Sequence, residues 1–134
     1  KKNGDMVNSR KIFDDSEAAH PIEEDEFIKI ENIKGKLVLI GAEDDALWDT
    51  AKYIRRAEKR LSEKPHSCNA EFFVYKHGTH YVFPESLLRS ILPIGGGLFL
   101  KLAFKAAKDF PKECKQTRVD IDRKVVKVIK EWKK

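Results

Sequence analysis

Cysteine is scarce in this chain. Cys68 and Cys114 are the only two among 134 residues and carry no framework spacing, which excludes a disulfide scaffold. A reducing, cytoplasmic setting fits that usage. Long apolar runs are missing as well: nothing approaches the ~18 residues that a membrane span needs, so no membrane span is expected. The opening Lys1-Lys2-Asn3-Gly4-Asp5 has no apolar segment behind its charges, as a secretory signal would, and lacks an initiator Met. The chain therefore reads as starting inside a longer protein. His20, His66, His77 and His80 form no helical i, i+4 pair and have no cysteine at zinc spacing, so no metal is expected. Gly95-Gly96-Gly97 has no strand before it, as a phosphate-binding loop requires, and reads as a helix connection. No cofactor is expected either.

Charge is abundant. Lys and Arg number 27 against 22 Asp and Glu, and charged residues make up 37% of the chain against 41% hydrophobic. That balance suits one soluble, globular domain. Both signs are interspersed except in the last third, from Lys101 to Lys134, which is clearly basic. A nucleic-acid surface would use such a stretch. It would also carry aromatic platforms or a recognisable motif, and neither occurs here, so the lysines read as the solvated faces of amphipathic helices. No nucleic-acid partner is expected.

Residues 1–26 are polar and weakly periodic, with the acidic run Glu23-Glu24-Asp25-Glu26, and read as an exposed arm or loop. Residues 27–134 form the folded part. Leu37-Val38-Leu39-Ile40, ending at Gly41, is the short apolar run of a strand covered on both faces. Leu47, Ala51, Ile54, Ala57 and Leu61 then recur at helical spacing, with Asp49 placed as a cap and Pro65 as a stop. A second strand covers about residues 70–75, where Phe72-Phe73-Val74-Tyr75 is aromatic and β-branched. Strand, helix, strand at this spacing is a βαβ unit, so the two strands are expected to be parallel. Pro84 opens a short helix, Leu98 to Asp109 reads as a buried helix, and the chain ends in an amphipathic helix. That last helix carries Ile121, Val125, Val128, Ile129 and Trp132 on one face, with Asp120 as its cap.

Two loops follow the carboxyl ends of these strands, where open α/β sheets place their sites. The first is Gly41-Ala42-Glu43-Asp44-Asp45-Ala46-Leu47-Trp48, the second Lys76-His77-Gly78-Thr79-His80. Neighbouring strands lie only ~4.8 Å apart, so a carboxylate on one loop can meet an imidazole on the next. Such an acid fixes the histidine tautomer and stabilises the imidazolium formed when a nucleophile gives up its proton.

These residues carry a resemblance. Ile33 to Ile40, Glu43-Asp44-Asp45-Ala46-Leu47-Trp48, and Tyr75 to His80 with Pro84 resemble the C-terminal part of α/β-hydrolases. More narrowly, they are similar to the acyl-CoA thioester hydrolase and bile-acid-CoA:amino acid N-acyltransferase family. Aligned on Trp48, the resemblance implies Asp45 as the acid of a catalytic triad and His80 as its base. Ala42 stands where that family has a glycine and Thr79 separates Gly78 from His80, so Asp44 remains an alternative acid and His77 an alternative base. The implied fold class is α/β, a C-terminal fragment of an α/β-hydrolase with two parallel strands and flanking helices.

In that fold the nucleophile precedes the acid on a Gly-x-Ser-x-Gly elbow, and no such elbow occurs in the chain. Cys68 lies at the wrong end of the second strand and Cys114 in a charged stretch, so both read as ordinary thiols. The resemblance therefore implies an acyl-CoA or related thioester substrate handled by a complete enzyme, whose nucleophile sits on a missing N-terminal part. This chain alone is expected to be inactive. The alternative is a non-catalytic, hydrolase-like scaffold or interaction module. A strand edge bared in the fragment points to self-association, such as a homodimer. At ~30 residues per βα unit an eight-stranded sheet needs about 240, so this chain has the length of roughly half a domain.

Overall fold

The computed structural model describes residues 4–132. In chain order these form helix α1 (Arg10–Ala19), a single 3-10 turn (Ile30–Asn32), strand β1 (Lys36–Ala42), helix α2 (Thr50–Glu63) and strand β2 (Asn69–Tyr75). Helices α3 (Glu85–Ile91), α4 (Gly96–Ala103), α5 (Lys105–Asp109) and α6 (Pro111–Trp132) follow. β1 and β2 pair in parallel, in register from Lys36 opposite Asn69 to Ala42 opposite Tyr75, with α2 as the crossover. This is the βαβ unit that the hydrophobic pattern predicts.

α2 starts where Asp49 accepts a hydrogen bond from the Lys52 amide at 2.9 Å, and it buries Ala51, Ile54 and Leu61 against the sheet. Its approach to β1 is close enough to demand glycine at position 41. A Cβ there would lie 2.7 Å from Ile54 Cδ1 and 2.9 Å from Thr50 Cβ. The main core is formed by Leu88, Leu100, Ala103, Phe104 and Ala107, with Leu47, Tyr81, Phe83 and Leu92 packed against it. α6 closes one side of this core with Cys114, Thr117 and Ile121. A buried ion pair between Arg118 and Glu85, 2.8 Å apart, joins it to α3.

Four expectations need correction. Residues 1–26 are not simply an arm or loop, because α1 lies inside them and is docked. Its buried contacts are few. It is held instead by charge, with Lys52 pairing with Asp14 and with Glu17 at 2.9 Å each, and by hydrogen bonds from Ser9 and Arg10 to the loop after β1. That is why apolar periodicity does not reveal it. β1 is half-buried along Leu37–Ile40 rather than covered on both faces, because a two-stranded sheet is too narrow for its flanking helices to enclose.

The stretch from Leu98 to Asp109 is two helices, broken at the extended and buried Phe104, and Leu98 and Leu102 are exposed. Finally, α6 begins at Pro111, a residue suited to a first helical position. Asp120 therefore lies in mid-helix, where it accepts a hydrogen bond from Tyr75 Oη at 2.7 Å and caps nothing. Of the apolar face expected on α6, Ile121 is buried and Val125 and Val128 are half-buried, whereas Ile129 and Trp132 are exposed.

Candidate active site

The register of the strands fixes the site. Ala42 stands opposite Tyr75, and the Glu43 amide extends the ladder by donating to the Tyr75 carbonyl at 2.8 Å. The loops after β1 and β2 therefore leave the sheet side by side.

Asp45 is fully buried. One of its oxygens, Oδ1, accepts from the Leu47 amide at 2.9 Å, an Asx turn that sets the carboxylate's direction. The other, Oδ2, lies 3.0 Å from His80 Nδ1. An ionised carboxylate only accepts hydrogen bonds, so this contact places the proton on Nδ1 and leaves a lone pair on Nε2. Trp48 meets the imidazole edge to face at 4.6 Å between centroids, and Phe13 of α1 braces Trp48 from behind at 5.8 Å. Among the described residues Nε2 has no hydrogen-bond partner, and the His80 side chain keeps 26% of its surface open to solvent.

A second pair lies beside the first. Asp44 Oδ2 lies 3.1 Å from His77 Nδ1, while its Oδ1 accepts from the Gly78 and Thr79 amides at 3.0 and 2.8 Å. Thr79 sits at φ = +63°, a left-handed conformation that a β-branched residue rarely adopts and that costs on the order of 1–3 kcal/mol. The Asp44 bonds hold it there. Gly78 has no room for a side chain, since a Cβ would lie 2.6 Å from Val82 Cγ1 and 3.0 Å from Ala42 Cβ. The His77 ring stacks on Phe110 at 3.9 Å, and its carbonyl accepts from Thr117 Oγ1 at 2.6 Å. His77 is thus turned toward α6, away from the pair that Trp48 covers.

The candidate acids and bases therefore come together as two separate couples, Asp45 with His80 and Asp44 with His77. The sequence reading missed the bracing by Phe13, the stacking of Phe110 and the Asp44 clamp. Only the clamp left a signal: adjacent acidic residues in a strand-to-helix turn cannot both share one imidazole.

The thiols stand apart. Cys114 is buried, and burial with the nearby Asp44 charge pushes its thiol up to about 11. Cys68 precedes β2, at the end of the sheet opposite His80. Among the described residues no group of three His, Cys, Asp or Glu could hold a metal ion.

A two-stranded parallel sheet with flanking helices, and an acid turn beside a histidine loop at its carboxyl end, defines a C-terminal fragment of the α/β-hydrolase type. The family model for the BAAT / acyl-CoA thioester hydrolase C terminal matches residues 2–86, and the chain belongs to that family. No curated protein and no solved structure matches the chain. Because the matched stretch ends at residue 86, helices α4, α5 and α6 lie beyond it.

Proposed function

We propose that Asp45 and His80 are the acid and base of the catalytic triad of an acyl-CoA thioesterase or acyltransferase, with the nucleophile carried on sequence outside these 134 residues. The supporting observation is the 3.0 Å contact between the buried Asp45 and His80 Nδ1, with Nε2 left open. In the reaction, Nε2 takes the nucleophile's proton as that group attacks the thioester carbonyl. The tetrahedral intermediate collapses, the sulfur leaves as a thiol with the proton from the imidazolium, and an acyl-enzyme remains. His80 then deprotonates the incoming water or amine, and the acyl group departs. Asp45 accepts from Nδ1–H throughout and stabilises the imidazolium.

The test joins this chain to a hydrolase segment that carries a Gly-x-Ser-x-Gly or Gly-x-Cys-x-Gly elbow, or takes the full-length product of its source, and follows release of thiol from an acyl-CoA. His80→Ala and Asp45→Ala should each lower turnover by about 10²–10⁴-fold, the usual worth of a positioned general base. The 134-residue chain alone should show no turnover. The absent elbow also suits a non-catalytic module, and a full-length product with no elbow and no thioesterase activity would decide for that reading.

A further inference from the structure

The α3–α4 hairpin exposes an apolar surface that nothing in the catalytic reading uses. On α3, Leu88 is buried while Leu87 and Ile91, one turn apart, are 45% and 63% exposed. On α4, Leu100 and Ala103 are buried while Leu98 and Leu102 are each 62% exposed. Ile94, at the tip between the helices, is 92% exposed. Each helix thus carries an outward apolar pair at i, i+4 spacing, and an exposed isoleucine lies in the turn between them. Exposed large apolar side chains clustered this closely along the chain mark a contact.

The charge around it selects the contact. Residues 86–108 contain Arg89, Lys101, Lys105 and Lys108, of which Arg89 pairs with Glu85 and Lys105 with Asp109. Leu98 shares one groove, about 470 Å³ in volume, with Lys101, Lys112 and Lys115. None of those three lysines forms an ion pair among the described residues. An exposed leucine beside three unpaired lysines complements an anionic lipid surface, in which acyl chains lie beneath negative headgroups. Size points the same way. The two helices have 7 and 8 residues, about 10–12 Å each, which suits insertion to the depth of the interface and falls far short of the ~30 Å hydrocarbon core. Their axes bend by 100°, so the pair is not one continuous helix.

We propose that the α3–α4 hairpin docks this protein on the surface of an anionic bilayer, with Ile94 and Leu98 inserted and Lys101, Lys112 and Lys115 on the headgroups. The hairpin lies almost wholly beyond the residues that the family model matches, and the proposal is independent of the triad assignment.

The test is co-sedimentation of the full-length product that contains this chain with phosphatidylcholine vesicles, made with and without phosphatidylserine. Binding is expected to the phosphatidylserine vesicles and to weaken steeply as added salt shortens the screening length. Ile94→Glu with Leu98→Glu should abolish it. Lys101→Glu with Lys112→Glu and Lys115→Glu should weaken it on the order of a hundredfold, about fivefold for each lysine lost. All five sites are exposed, and unchanged far-ultraviolet circular dichroism verifies the fold of each variant. No binding to phosphatidylserine vesicles overturns the proposal. So does equal binding by the Ile94/Leu98 variant, or a wild-type dimer that this variant dissociates without any vesicle binding, since a second copy would then cover the patch.

Discussion

Asp44 and Asp45 are consecutive residues whose carboxylates serve different histidines: Asp44 lies 3.1 Å from His77 Nδ1, and Asp45 lies 3.0 Å from His80 Nδ1. Their second oxygens also differ in task. Asp45 fixes its own turn through the Leu47 amide, whereas Asp44 reaches across to the next loop and holds the Gly78 and Thr79 amides. One acid orients a ring, and the other builds the loop that carries the ring.

Removing the clamp should therefore cost stability. Asp44→Ala leaves two loop amides and a left-handed threonine without their acceptor, and a loss of about 3 kcal/mol is expected from two hydrogen bonds to a charged group. Urea unfolding measures this, and amide proton shifts of Gly78 and Thr79 report the lost bonds directly. A loss below about 1 kcal/mol would mean that the loop keeps its shape without Asp44.

The glycines divide into tight and open sites. Gly41→Ala and Gly78→Ala should each destabilise by about 1–3 kcal/mol, because a Cβ at either position meets packed atoms at 2.6–2.7 Å. Gly35→Ala should be neutral or stabilise by about 0.4–1 kcal/mol, since nothing lies within 4 Å of its Cβ position. Equal effects at positions 35, 41 and 78 in thermal unfolding would refute the packing argument.

Acid sensitivity should trace to Arg60. Its hydrogen bonds hold the carboxyls of Glu24 and Glu31 down to about 2, from an ordinary value of 4.5. A carboxylate with a lowered folded-state pKa contributes stability that is complete above its unfolded value and is lost as pH falls toward the folded one. The melting temperature should thus drop between about pH 5 and pH 2. Arg60→Gln should flatten that limb. An unchanged slope in a pH series of melting curves would show that these pairs contribute nothing.

Self-association should occur through β1. Among the described residues its only strand partner is β2, so its other edge is unpaired. Light scattering should show a mass that rises with concentration. A constant monomer mass would count against an open edge.

Much of this was legible in the sequence. Leu37 to Gly41 and Phe72 to Tyr75 announce the strands through short apolar runs, and Asp49 marks the start of α2 through its capping chemistry. The acid turn and the histidine loop follow from where parallel strands end. α1 was not legible, because its anchors are Asp14, Glu17 and Arg10 pairing with residues some forty positions away, and single-sequence periodicity does not register such contacts. The break at Phe104 was hidden for the opposite reason. The residues around it are good helix formers, and tertiary burial of the ring overrides them.

The amino-terminal segment also ties two distant parts of the chain together. The Lys105 amide donates to Asp5 Oδ1 across 100 residues, and the Met6 amide donates to the Ala103 carbonyl. During synthesis the segment before α1 must wait until α4 and α5 have emerged before those bonds can form, so its docking falls late in folding. Anchored by charge rather than by a buried face, α1 is also the part that should open first in the native state. When it lifts, the carbonyls of Ala46 and Leu47 and the ring of Trp48 lose their cover together, so the turn that holds Asp45 shares its protection against hydrogen exchange with a helix more than twenty-five residues upstream.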